Sequence, residues 1–148
     1  MDWIPISERH LLSGVSGQEL DAYRDAASVE GQPDPVATLM ETTIDEVRGA
    51  ISGNRANVLG EAGTLPPSLV RCFISLATVY LLGRIPGVTI DQQRLDARDR
   101  ANSTLDAVRR GDQAVELPSV ADDGRTQAIG PMIRRKHRQF TRASEDGI

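Results

Sequence analysis

The chain has 148 residues, 39% hydrophobic and 26% charged, with a formal net charge of −4 at pH 7. That length suits one domain with a single core, and the negative balance argues against a protein that coats nucleic acid over its whole surface. Aromatics make up only 3% and Cys72 is the sole cysteine, so stacking platforms are scarce and neither an intramolecular disulfide nor a cysteine-rich metal site can be built.

Read from the start, Met1 to Pro5 lacks the basic opening and long apolar run of a secretory signal, so the expected default compartment is the cytoplasm. The segment DWIPISERHLLSG predicts an extended lead-in and a short helix, with Ser7 as cap, Gly14 as stop and Ile6 placed to staple against Leu11. Ser16, followed three residues later by Glu19, signals a capping box before LDAYRDAA, where Leu20, Tyr23 and Ala27 give a modest apolar face. Residues 31–35, GQPDP, break the chain. Asp34 then caps, and Pro35 opens, a long helix in which Val36, Leu39, Met40, Ile44, Val47 and Ile51 recur at i, i+3, i+4 spacing. Glu41, Asp45, Glu46 and Arg48 are expected mostly on its other side. Residues 53–64, GNRANVLGEAGT, hold three glycines and two asparagines and read as a loop.

The most apolar stretch follows, LPPSLVRCFISLATVYLLGR, residues 65–84. Pro66 and Pro67 suit a helix start, where the first N–H groups have no internal partner, and Gly83 with Pro86 and Gly87 behind it supplies the stop. Leu69, Phe73, Leu76 and Tyr80 form one stripe, and Val70, Ile74, Ala77 and Leu81 an adjoining one. So wide an apolar face requires neighbours on several sides. From Leu69 to Leu82 there are fourteen residues with Arg71 among them, against ~20 apolar residues for a bilayer span, so no membrane crossing is expected. Leu69, Phe73, Ile74, Ala77 and Tyr80 are expected among the most buried side chains, and Cys72 is expected to be a buried, inert thiol.

Thr89 or Asp91 then caps a polar helix with a narrow seam of Leu95, Ala101, Leu105 and Val108, Arg98 completing the spacing. Arg109-Arg110-Gly111 ends it, cations at the negative pole and a glycine to stop it. The expected fold is all-α: a small helical bundle over residues 36–52, 68–82 and 91–110, set around the central apolar helix. Residues 1–117 would form this domain and residues 118–148 an extended basic C-terminal arm. Strands, if any, are expected only in the arm or in the loop at 54–64.

The arm carries Arg125, Arg134, Arg135, Lys136, Arg138 and Arg142 against Asp122, Asp123, Glu145 and Asp146, whereas the first 117 residues carry eleven basic and seventeen acidic side chains. A negative body with a positive arm suits an acidic partner. Within the arm, residues 133–142, IRRKHRQFTR, are the one local stretch with binding character. Its candidate partner-binding residues are Ile133, Arg134, Arg135, Lys136, Arg138, Phe140 and Arg142. Three readings stay open: a grip on nucleic-acid phosphates with Phe140 stacking or packing, a solvated tail, and an arm that docks on a neighbouring subunit. In the last, arginines would meet carboxylates and Ile133 or Phe140 would be the apolar anchors.

Catalytic constellations are missing from the sequence. His10 and His137 belong to no HxxxH or HExxH spacing, no serine sits in G-x-S-x-G, and no phosphate-cradling glycine loop precedes a helix. Asp45-Glu46, Asp96 with Asp99, and Asp122-Asp123 fall on polar faces or in a turn, without the burial or partner that acid–base work needs. No enzymatic activity, metal or cofactor is therefore expected.

The order of pieces from Ile6 to Gly111 resembles the Mu-like family of phage head–tail connector, or head-completion, proteins. The likeness is carried by the capped short helices of ISERHLLSGVSGQEL and by IDEVRGAISGNR, a long helix closing in small residues and arginine. It is carried further by LPPSLVRCFISLATVYLLGR, prolines before an apolar helix rich in Ala, Leu and Tyr, and by RLDARDRANSTLDAVRRGD, a polar final helix with an Arg-Gly ending. It differs from the family in having Ala50, Ala56 and Asn57 where aromatic residues are common, and in a longer loop from Asn54 to Thr64. The resemblance implies a non-catalytic virion component at the head–tail interface, made in the host cytoplasm. Copies would form a homo-oligomeric, dodecameric ring beneath the portal protein and meet a tail-completion or tail-terminator protein. Genomic DNA would pass through the channel without specific binding. The rival reading is a small helical nucleic-acid-binding protein that uses the basic C-terminal segment.

Overall fold

The computed structural model describes residues 2–119. Within them the chain is mainly helical: strand β1 (Ile4–Pro5), helices α1 (Glu8–Leu11), α2 (Gly17–Ala27) and α3 (Pro35–Gly53), strand β2 (Thr64–Leu65), then α4 (Val70–Leu82) and α5 (Gln92–Arg110). A 3-10 turn at Pro67–Leu69 leads directly into α4.

Helix ends follow local chemistry. Ser16 and Glu19 form the reciprocal box, with Glu19 N–H donating to Ser16 Oγ at 3.1 Å and Ser16 N–H to Glu19 Oε1 at 3.0 Å. Asp34 accepts the Val36 N–H at 3.0 Å with Pro35 in the first helical position, and Asp91 accepts the Arg94 N–H at 3.0 Å. These satisfy donors that have no partner within the first turn. Gly111 ends α5 at φ 82, a left-handed conformation in which a Cβ would be strained. Gly83 leaves α4 in ordinary right-handed backbone, and the turn behind it depends on Gly87 at φ 76.

Helices α3, α4 and α5 each pack on the other two. Their contact encloses Val47 and Ile51 from α3, Phe73, Leu76, Leu81 and Leu82 from α4, and Leu105 and Val108 from α5, all fully buried. Leu11, Leu20 and Tyr23 add to the core from α1 and α2. Gly14, between α1 and α2, lies against α4 so closely that an added Cβ would meet Thr78 Oγ1 and sit 2.8 Å from Ile74 Cγ2. No helix among the described residues is long and apolar enough to cross a membrane.

Three expectations are corrected. Leu69, Phe73 and Ala77 are fully buried, but Ile74 is half-buried and Tyr80 is 38% exposed. A phenol brings a hydroxyl that needs a partner, and Tyr80 finds it at the edge between α3 and α4, donating to the Glu46 carboxylate at 3.0 Å. Thr78, Val79 and Leu82 are buried instead.

Arg48 is not on the outer side of α3. It is buried, and its guanidinium donates to the carbonyls of Gly60, Glu61 and Thr64, each at 2.9 Å. Arg48 Cζ also stands 5.8 Å from the centroid of the Trp3 ring, within cation–π range.

The third correction concerns strands. Ile4 pairs with Leu65 and Pro5 with Thr64, antiparallel, so one strand lies in the lead-in rather than in the loop. The lead-in is drawn there because Trp3 is held both by its edge and by its ring. Its indole N–H donates to the Glu116 carbonyl at 2.8 Å, and its ring packs on Gly60, where an added Cβ would come within 2.8 Å of it. Glu116 belongs to the stretch after α5, which returns across the start of α4. Its carboxylate accepts the Ser68 N–H at 3.2 Å and the Ser68 hydroxyl at 2.6 Å. A carboxylate at the positive end of a helix is favourably placed.

Candidate partner-binding surface

The binding residues expected from the sequence, Ile133, Arg134, Arg135, Lys136, Arg138, Phe140 and Arg142, lie outside the described residues. So does all of the arm except Pro118 and Ser119, which sit beside Trp3, Glu61 and Thr64. Two grooves of the described body bear on binding.

The first runs along α3 and encloses about 500 Å³. Positions 36, 40 and 44 succeed one another at four-residue spacing, which places them on one face of the helix. Val36 and Ile44 are buried and Met40 half-buried beneath the groove. The adjoining row of Ala37, Glu41 and Asp45 is exposed and forms one wall; Ile6, Ala62 and Gly63 close the opposite side. At one end, Arg24 of α2 bridges Glu8 at 2.8 Å and Asp34 at 3.3 Å. Hydrogen bonds from Arg24 and then from the Val36 N–H hold the Asp34 carboxyl below its ordinary range. Glu41 and Asp45 make no ion pair among the described residues. The surface is thus an apolar floor with an anionic wall.

The second groove lies between α4 and α5, about 910 Å³ in volume, with Ser13, Arg71, Ser75, Arg100 and Thr104 on its walls. Arg94 is committed within it. The guanidinium holds Glu19 through two hydrogen bonds of 2.7 and 3.1 Å and reaches the Gly14 carbonyl at 3.2 Å, tying α5 to the start of α2. Nothing in the local sequence marks Arg94 for this role, because Glu19 lies 75 residues away.

That pair sets an acid response. The Arg94 hydrogen bonds, and next the Ser16 N–H, lower the Glu19 carboxyl to about 2 from an ordinary 4.5. A depressed folded value means the stabilisation is complete above about pH 4.5 and is lost as pH falls through about 2. Comparison of the wild type with Glu19→Gln should show a gap in unfolding free energy of roughly 1–2 kcal/mol at neutral pH, modest because the pair is partly exposed. The gap should close across that acid window in urea titrations at stepped pH.

Several titratable side chains are buried or have local partners. Burial pushes the Cys72 thiol up, away from thiolate reactivity. His10 Nδ1 accepts the Ser7 N–H at 3.1 Å, Glu46 is taken by Tyr80, Asp96 accepts from Gln92 and Asp99 from Arg98. No group of three histidine, cysteine or acidic side chains able to hold a metal occurs among the described residues.

Compared with protein-family models, with curated proteins and with solved structures, the chain finds no match in any of the three.

Proposed function

We propose that the chain is a structural virion protein, a head–tail connector of the head-completion type. In this reading its body is a small helical bundle built around α4, and residues 118–148 form an extended arm. Copies assemble as a dodecameric ring beneath the portal protein, receive a tail-completion or tail-terminator protein below, and continue the DNA channel. What supports the reading is the resemblance from Ile6 to Gly111. Its four patterns follow in the family's order, and in this chain they fall on α1 with α2, on α3, on α4 and on α5. The excess of acidic over basic side chains in the first 117 residues suits a conduit, since a wall that bound phosphates strongly would impede DNA passage.

Electron microscopy of the purified protein mixed with its portal should show a ring stacked coaxially on the portal. A truncation after Ser119 should keep the far-ultraviolet helical signal of the body nearly unchanged and lose that attachment. Rings retained on the portal by the truncated chain would reduce the arm to a solvated tail. Tight duplex-DNA binding by an isolated monomer, weakening steeply with salt, would favour the nucleic-acid-binding rival.

A further inference from the structure

We infer that the acid-walled groove along α3 is the receptor for the basic segment Ile133–Arg142 of a neighbouring copy. The inference rests on the connector reading only in taking the segment from an adjacent subunit; the recognition itself is argued from chemistry. An apolar floor of Val36, Met40 and Ile44 beside Glu41 and Asp45 calls for a ligand that carries apolar anchors and several cations together. Residues 133–142 are that combination: Ile133 and Phe140 for the floor, and five cationic side chains in ten residues. Arg134, Arg135, Lys136, Arg138 and Arg142 supply the cations that the Glu41 and Asp45 carboxylates call for. Arginine meets carboxylates with paired donors, which gives such a contact geometric selectivity as well as charge attraction.

Two features make the groove receptive. Glu41 and Asp45 hold no cation among the described residues, unlike Glu8 and Asp34, which share Arg24. Both also lie on exposed positions of a 19-residue helix whose opposite side is anchored in the core, so the wall is preformed.

Reach permits a neighbouring copy. Ser119 stands next to Glu61 and Thr64, and Ala62 and Gly63, between those two in sequence, line the groove on the side facing the acidic wall. Thirteen residues lie between Ser119 and Ile133, and the fourteen steps, at ~3.3 Å each, span up to roughly 46 Å. That length is enough for the segment to cross to the next subunit.

The test uses the full-length chain. A photo-crosslinking phenylalanine analogue at position 140, in a mixture of isotopically light and heavy copies, should yield light–heavy crosslinks to residues 36–45. The double variant Glu41→Lys, Asp45→Lys changes exposed positions and should keep the wild-type helical signal. Its light-scattering mass should fall to that of a single chain, and adding Arg134→Glu and Arg138→Glu to it should restore assembly. Crosslinks confined to one copy, or to other surfaces, would overturn the inference, as would undiminished assembly of the double variant. The connector reading fails separately: crosslinks at the groove with no ring on the portal would retain the receptor and discard the connector.

Discussion

Replacing Arg48 by alanine should lower the unfolding free energy by roughly 4 kcal/mol, a large share of the ~5–15 kcal/mol that holds a domain of this size together. The guanidinium supplies donors to three carbonyls, of Gly60, Glu61 and Thr64, and two of these bonds are buried. Each carbonyl stranded without a donor costs ~1–3 kcal/mol. The packing on Trp3 is lost as well. Arg48→Lys should recover only part of the loss, because one ammonium cannot serve three carbonyls spread over five residues in the fork geometry of a guanidinium. Denaturant melts of the two variants measure both effects. Wild-type stability of Arg48→Ala would mean that the 60–64 segment keeps its shape without the arginine.

Phe73→Ala should be comparably severe, ~3–5 kcal/mol, because it removes a large buried ring and leaves a cavity that helices can close only in part. Phe73 is fully buried in α4, which packs on both α3 and α5. The contrast lies two turns along the same sequence stripe. Tyr80→Phe removes an exposed hydroxyl bonded to Glu46 and should cost under ~1 kcal/mol. Equal losses for the two variants, measured by calorimetry, would refute the assignment of Phe73 to the interior and Tyr80 to the rim.

What the sequence disclosed, it disclosed through short-range chemistry. The Ser16–Glu19 box, the Asp34-Pro35 start, the Asp91 cap and the Gly111 stop each involve residues within a few positions of one another. The buried stripes of α3, α4 and α5 follow helical spacing, and the mainly helical fold follows from them. Contacts between distant arginines and their acceptors were not legible, since their partners are chosen by packing. Arg48 did leave a trace. It stands four residues beyond Ile44 and eight beyond Met40, so it falls on the apolar stripe, and a cation in that position must find buried acceptors. Arg24 and Arg94 left no such trace on polar faces. Of the candidate surface, the acidic character of Glu41 and Asp45 was legible, but not that the floor beside them stays open, because that depends on where α1 and the 60–64 segment come to rest. The binding residues of the arm remain readings of sequence.

The contacts of Glu116 also decide how the body bears tension. A pull transmitted through Ser119 reaches Trp3 and Ser68 before it reaches any helix, because Glu116 is held by the indole on one side and by the head of α4 on the other. Three hydrogen bonds form this clasp, with Val115 packed against the core beside it. Its opening releases Glu116 and the residues after it while α3, α4 and α5 stay packed. A load applied at Ser119 is thus met by this clasp before it is met by the packed helices.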